Sequence, residues 1–221
     1  MLYHVDTRKA FADLLLSRDL RSGSLDPRDA ALATELVNGT LRWRGRLDWV
    51  LGRYVRAGLD TLTPWILNLL RLGLYQILFL DRIPPHAAVD ECVTLAKKYA
   101  NPGAAGLVNA VLRKILREGA GAPDPEQILT DPDEAMAVAY SHPAWLVARW
   151  RRRLGDDETR ALLLADNRPA TVGLRVNPLK TDRETLRRAL GARGIEVEAA
   201  PYSRLTLRVT GNIAFQGLPE F

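Results

Sequence analysis

A chain of 221 residues, 47% of them hydrophobic, is long enough for two packed units, and none of its apolar runs approaches the ~20 residues that a membrane-spanning helix needs. The one cysteine, Cys92, excludes an internal disulfide and a cysteine-based metal site, and His4, His86 and His142 are too scattered for zinc, so no metal is expected. The net charge of +5 lies wholly in the front: residues 1–120 hold 17 Lys and Arg against 12 Asp and Glu, residues 121–221 hold 14 of each.

The N-terminus lacks the blocks of a secretory signal, so a cytoplasmic protein is expected. Ala10, Phe11, Leu14, Leu15 and Leu16 lie at helical spacing and predict a first amphipathic helix. Asp26-Pro27 reads as an N-cap followed by a first-turn proline, opening a helix with Leu32, Leu36 and Val37 on one side. Gly39 and Gly45 are the candidate ends, after which Leu47, Val50, Leu51 and Tyr54 carry the next helix. Thr63-Pro64 starts a segment that is apolar on several sides, around Ile66 to Leu78, and is expected to be the most buried. Pro84-Pro85 restarts the chain into a stripe of Ala88, Cys92, Leu95, Ala96 and Tyr99, stopped by Asn101-Pro102-Gly103. Leu107, Val108, Val111, Leu112 and Ile115 form the sixth helix, and Gly119, Gly121 and Pro123 break it.

Residues 124–139 and 142–166 still read as helical, with Pro143 and Asp156 as start signals. After Pro169 the period changes: residues 171–177, 195–198 and 205–209 alternate or are β-prone, and 182–193 keeps helical spacing. This is a β–α–β–β unit. Gly217 to Phe221 reads as a turn. The fold class expected is therefore mainly α: an all-α bundle over 1–120, a helical linker over 121–168, and a small, incomplete α+β subdomain over 169–221.

Local catalytic signals are absent. Neither GxGxxG nor GxxxxGK[ST] occurs, and Gly103-Ala104-Ala105-Gly106 reads as a turn between helices. Cys92 sits on an apolar stripe beside Asp90 and Glu91, which favours a buried thiol over a nucleophile. His86 reads as a turn or capping residue.

The basic residues are the candidate site. Arg42, Arg44 and Arg46 interleave with Trp43 and precede Trp49; in one continuous helix Arg42 and Arg46 would share a face. Guanidinium groups clasp phosphates and an exposed indole stacks on an unpaired base, but a solvated arginine rim over core tryptophans fits the same residues. Lys97, Lys98, Arg113 and Lys114 flank the 101–106 turn and are expected to converge there on phosphate. Arg149 and Arg151–Arg153 are followed by Asp156, Asp157 and Glu158, so local neutralisation is expected.

The stretches RDAALATELVNGTLRWRGRLDWVL, IPPHAAVDECVTLAKKY and GLVNAVLRK closely resemble the NusB-like RNA-binding domain, in the version fused to bacterial 16S ribosomal-RNA cytosine-C5 methyltransferases of the Sun or Fmu type. SHPAWLVARW at 141–150, with Asn167, Pro169 and LRVNPLKT at 174–181, resembles the linker and α+β subdomain that precede that family's catalytic domain. In such enzymes S-adenosylmethionine and two cysteines, in Pro-Cys and Thr-Cys patterns, occupy a Rossmann-like domain. One cysteine adds to carbon 6 of cytosine and activates carbon 5 toward the methyl donor. This sequence holds neither pattern, and Cys92 matches a helix of the NusB-like domain. The resemblance implies a chain that stops before the catalytic domain, holds 16S ribosomal RNA without a cofactor of its own, and contacts a C-terminal methyltransferase domain. An antitermination-like RNA adaptor working with a protein partner is the alternative, against which the extension after residue 169 speaks; a purely structural helical domain is a third reading.

Overall fold

The computed structural model describes residues 1–21, 25–119 and 124–210. They form two compact units, Met1–Asn167 and a second beginning at Arg168.

The first unit opens with α1 (Leu2–Arg8), α2 (Ala12–Arg21), α3 (Pro27–Arg42) and α4 (Arg44–Gly52), followed by α5 (Pro64–Phe79), α6 (Pro85–Tyr99) and α7 (Pro102–Arg117). Several starts share one chemistry: a side-chain oxygen accepts an orphan backbone N–H, and the next residue is a proline that has no N–H to lose. Asp26 accepts from Arg28 and Asp29, and Asn101 accepts from Ala104. Thr63 faces Ile66 in the same way. α5 is the central helix, burying Leu69, Leu70, Leu74 and Tyr75 against Leu47, Val50 and Leu51 of α4, Val89 and Cys92 of α6, and Val108 and Leu112 of α7. Each fully buried leucine is worth roughly 2–3 kcal/mol of transfer free energy. A smaller cluster joins Leu2, Leu16 and Val37 of α1, α2 and α3.

Four expectations are corrected. The first stripe is not a buried face: Phe11 and Leu14 are 72% and 64% exposed, and only Leu16 turns inward, because α1 and α2 are separate helices meeting at a left-handed Lys9. On the next helix Leu32 is likewise exposed, so Leu36 and Val37 carry the packing. That helix runs through Gly39 and ends instead at Trp43. Gly103–Gly106 is no turn; Asn101 caps α7 and those residues are its first turns.

Residues 124–139 divide more finely than expected, whereas the start signals at Pro143 and Asp156 hold. Asp124 and Asp131 cap α8 (Pro125–Ile128) and α9 (Pro132–Ala139), and Gly155, at φ 79°, separates α10 (Ala144–Leu154) from α11 (Asp156–Asp166). Met136, Ala137, Val147 and Leu163 form their core. Ser141, itself at φ 58°, accepts a 2.8 Å hydrogen bond from the Gly45 N–H and so ties this segment to the start of α4. The expected breaks at Gly121 and Pro123, and the turn at 217–221, lie outside the described residues.

The second unit is the expected β–α–β–β: β1 (Gly173–Arg175), α12 (Arg183–Gly191), β2 (Val197–Ala199) and β3 (Thr206–Val209) in the antiparallel order β1-β3-β2. The register pairs Leu174 with Leu207 and Val197 with Val209. Leu174, Val176, Leu207 and Val209 thus bury one face against Leu186 and Leu190 of α12, while Arg208 reaches Glu198 across the other.

Candidate nucleic-acid interface

The break at Trp43 decides what the arginine cluster is. Trp43 closes α3 and starts α4, and its ring turns inward to stack on Phe79 at 4.5 Å, which in turn stacks on Tyr75 at 5.3 Å. With no continuous helix, the premise that put Arg42 and Arg46 on one face is gone. Arg44 pairs with Asp6 at 3.0 Å and stands 3.9 Å from Asp48. Arg46 is half-buried; burial lowers its pKa below the ordinary arginine value and the Asp124 carboxylate works against that shift. It lines a cavity of about 420 Å³ with Trp43, Phe79, Asp124, Glu126 and Tyr140. Trp49 is also partly buried, with the guanidinium carbons of Arg46 and Arg53 at 5.4 and 5.2 Å from its ring. Neither tryptophan offers an open face like that of an exposed indole. Arg42, at the end of α3, makes no ion pair among the described residues.

The four cations of α6 and α7 do not converge. Lys97 and Lys98 occupy the last turn of α6, beside the start of α7. Arg113 lies eleven residues into α7, ~16 Å along its axis. There it donates to Asn109 at 2.6 Å and to Asp90 at 3.1 Å. Asp90 lies near the opposite end of α6, so the antiparallel pairing carries Arg113 and Lys114 away from the lysines. Lys114 stands 3.7 Å from Glu118 and 5.6 Å from the Tyr54 ring centroid.

Lys97 and Lys98 keep different company. Both are exposed, neither pairs with a carboxylate among the described residues, and the Lys98 ammonium lies 5.2 Å from the Tyr99 ring centroid. Tyr99 stacks on Trp65 at 5.4 Å with an interplanar angle of 4°, and Trp65 stacks on Tyr3 at 4.7 Å and 18°. These three rings come from α6, α5 and α1. Sequence reasoning missed them, since no local pattern links residues 3, 65 and 99; the available signal was an aromatic at each end of a helix next to unpaired lysines.

Of the second basic stretch only Arg151 is neutralised as expected; Arg149, Arg152 and Arg153 make no ion pair among the described residues. Arg151 donates to Asp133 at 2.5 Å and to Asp156 at 3.0 Å, and the Asp133 bond is the main cause of its raised pKa. Arg160 donates to Glu126 at 2.7 Å. Cys92 is buried, and its thiol pKa is pushed up to about 12 by burial and by Glu91. Among the described residues there is no group of His, Cys, Asp and Glu that fits a metal ion, and no helix is long and apolar enough to cross a membrane. The connection from β1 to α12, residues 176–182, holds no glycine that would let backbone amides approach a ligand.

Residues 1–117 match the NusB family, and residues 142–216 match the methyltransferase RsmF/B-like, ferredoxin-like domain. The chain is 38% identical over 197 residues to the probable ribosomal RNA small subunit methyltransferase B of Bacillus subtilis, covering 89% of this chain and 43% of that protein. It is 34% identical over 210 residues to ribosomal RNA small subunit methyltransferase B of Pseudomonas putida, covering 95% of this chain and 46% of that protein. The chain thus spans less than half the length of these curated relatives. Among solved structures, PH0851 superposes with a TM-score of 0.70 at 20% identity, covering 97% of this chain and 48% of its own, a likeness of fold alone. NusB of T. maritima superposes with a TM-score of 0.50 at 25% identity, covering 58% of this chain and 89% of its own. With more than half of its length matching one family and most of the rest matching the other, the chain belongs to the NusB family, extended by an RsmF/B-like ferredoxin-like domain.

Proposed function

We propose that these residues are the RNA-binding, substrate-positioning portion of an S-adenosylmethionine-dependent 16S ribosomal-RNA cytosine-C5 methyltransferase acting in the cytoplasm. In this reading residues 1–120 grip RNA, 121–168 link, and 169–221 form the subdomain that precedes a methyltransferase domain and contacts it. The observation that carries the proposal is the union, in one chain, of a NusB-family bundle with an RsmF/B-like ferredoxin-like domain. An antitermination adaptor has no need of the second.

The phosphate contacts are assigned to Arg42, Arg44 and Arg46 on α3 and α4, and to Lys97, Lys98, Arg113 and Lys114 on α6 and α7. The structure supports these seven unequally. Arg42, Lys97 and Lys98 make no ion pair among the described residues, Arg44, Arg113 and Lys114 would exchange a carboxylate partner for phosphate, and Arg46 is half-buried. Binding of hairpin RNA from the small-subunit ribosomal RNA tests the reading. With at least three of these phosphate contacts made, affinity falls by roughly 20-fold or more between about 50 and 200 mM salt. The 221 residues transfer no methyl group by themselves. Salt-insensitive or absent binding refutes the proposal.

A further inference from the structure

We propose that the ring ladder Tyr3–Trp65–Tyr99, with Lys98 beside its last ring and Lys97 in the same helical turn, is a stacking platform for an unpaired base of the bound RNA. This rests on the reading that the chain binds RNA, and it names the part of the RNA that is read: a looped or bulged nucleotide rather than a duplex.

Among its described residues the bundle contains two series of stacked aromatic rings, and one of them is explained by packing. Trp43, Phe79 and Tyr75 stack inward against the core, where burial alone accounts for them. The outer series has the same parallel geometry, with rings at 4.7 and 5.4 Å inclined by 18° and 4°. Yet Trp65 is 37% and Tyr99 49% exposed. Face-to-face rings left in water at a helix end present the surface on which a nucleobase, itself a flat ring, stacks without regard to sequence.

The charge beside the ladder selects the occupant. Lys97 and Lys98 are adjacent, exposed and free of carboxylate partners among the described residues, and Lys98 holds its ammonium 5.2 Å from the Tyr99 centroid. An apolar peptide segment gains nothing from two unneutralised ammonium groups. A nucleotide brings a phosphate to the lysines as its base meets the rings. A duplex end is excluded as the main ligand because its bases already stack on one another, whereas single-stranded loops offer splayed bases. The simpler role of the inner rings, as one wall of the apolar cavity that Tyr3 and Trp65 line with Leu36, Leu69 and Leu95, does not involve Tyr99.

The test uses the 221-residue chain and small-subunit hairpins carrying 2-aminopurine at each unpaired position in turn. Binding should quench the fluorescence at one position or more. Tyr99→Leu, at the exposed last residue of α6, should abolish the quenching and weaken loop binding about five- to a hundredfold, with the salt slope unchanged because no charge is lost. Tyr99→Phe, which keeps the ring, should restore both, and Tyr99→Gln repeats the loss in case leucine perturbs folding, which circular dichroism monitors. If hairpins bind the wild type but Tyr99→Leu and Tyr99→Gln retain affinity and quenching, the platform is refuted while RNA binding stands. The ladder is then a cover for the apolar cavity or a protein contact. If the wild type binds no hairpin at low salt, the functional reading itself fails and the platform with it.

Discussion

Arg71 donates from Nε and Nη2 to the two carboxylate oxygens of Asp48, at 2.6 and 2.8 Å, from a side chain only 4% exposed in the middle of α5. Its Nη1 reaches Asp6 at 2.9 Å, and Asp6 also accepts from Asn68 and pairs with Arg44. A fork of this kind satisfies a guanidinium that burial would otherwise penalise heavily. Asp48→Ala leaves Arg71 one carboxylate short and should cost about 3 kcal/mol, the low end for a broken buried pair because Asp48 is partly hydrated. The double variant Arg71→Met/Asp48→Leu removes both charges and still leaves Asp6 with Asn68 and Arg44. It should recover stability to within about 1 kcal/mol of the wild type in urea unfolding. A double variant no more stable than Asp48→Ala would contradict this account.

Gly39 lies directly under the Tyr75 ring, where an added Cβ would sit 2.0 Å from Cζ and 2.1 Å from the hydroxyl oxygen. That hydroxyl donates to Glu35 at 2.5 Å, and burial, then the Glu35 bond, push the Tyr75 pKa up. Elsewhere in a helix Gly→Ala gains about 1 kcal/mol of helix propensity. Here the ring must move, so overpacking and a disturbed phenol–carboxylate bond outweigh the gain. Gly39→Ala should destabilise by about 2 kcal/mol, read from the denaturation midpoint. A neutral or stabilising result would show that the ring relocates freely.

What was legible in the sequence was what acts over a few residues. Asp26-Pro27, Thr63-Pro64 and Asn101-Pro102 announce helix starts because cap oxygen, imino ring and orphan N–H lie within one turn. The change of period after Pro169 announced the β–α–β–β unit for a similar reason. The break at Trp43 has no proline or glycine of its own and coincides with a stack on Phe79, 36 residues away in sequence. Nothing local marks the role of Arg71 within its largely apolar helix, since its partners are 23 and 65 residues distant. The same distance effect hid the Tyr3–Trp65–Tyr99 ladder and drew Arg113 to Asp90 instead of toward Lys97.

Cys92 gives the alkaline limb of stability a recognisable shape. Its pKa rises from an ordinary 9.0 to about 12 in the folded chain, first through burial and then through Glu91. A raised folded value means that the neutral thiol stabilises fully below about pH 9, and that this stability is lost as pH climbs toward 12, by at most about 1.4 kcal/mol per pH unit. The tyrosines Tyr54, Tyr75 and Tyr140 are raised as well, but from about 10, so the interval from pH 9 to 10 belongs chiefly to the thiol. Cys92→Ala should flatten unfolding free energy across that interval whatever its effect at neutral pH. In the wild type the thiol should react with iodoacetamide only at the rate of opening. Prompt alkylation of the native protein at pH 8 would be incompatible with this burial.

Charge reversal should sort the basic residues by the measurements in which they respond. Arg151→Glu opposes Asp133 and Asp156, and Arg44→Glu opposes Asp6 and Asp48, so each should lower the melting temperature by several degrees. Lys97→Glu and Lys98→Glu break no ion pair among the described residues and should leave the melting temperature within about a degree. In hairpin binding the lysine reversals should outrank Arg151→Glu, while Arg44→Glu, an assigned phosphate contact, should weaken binding as well as stability. Each lysine reversal removes one phosphate contact and shallows the salt slope by about one, while Arg151→Glu leaves the slope as it was. Arg42→Glu belongs with the lysines, for Arg42 too makes no ion pair among the described residues. If Arg151→Glu weakens RNA binding as much as Lys97→Glu does, the helical face assigned to RNA is wrong, and the α9–α11 segment takes its place.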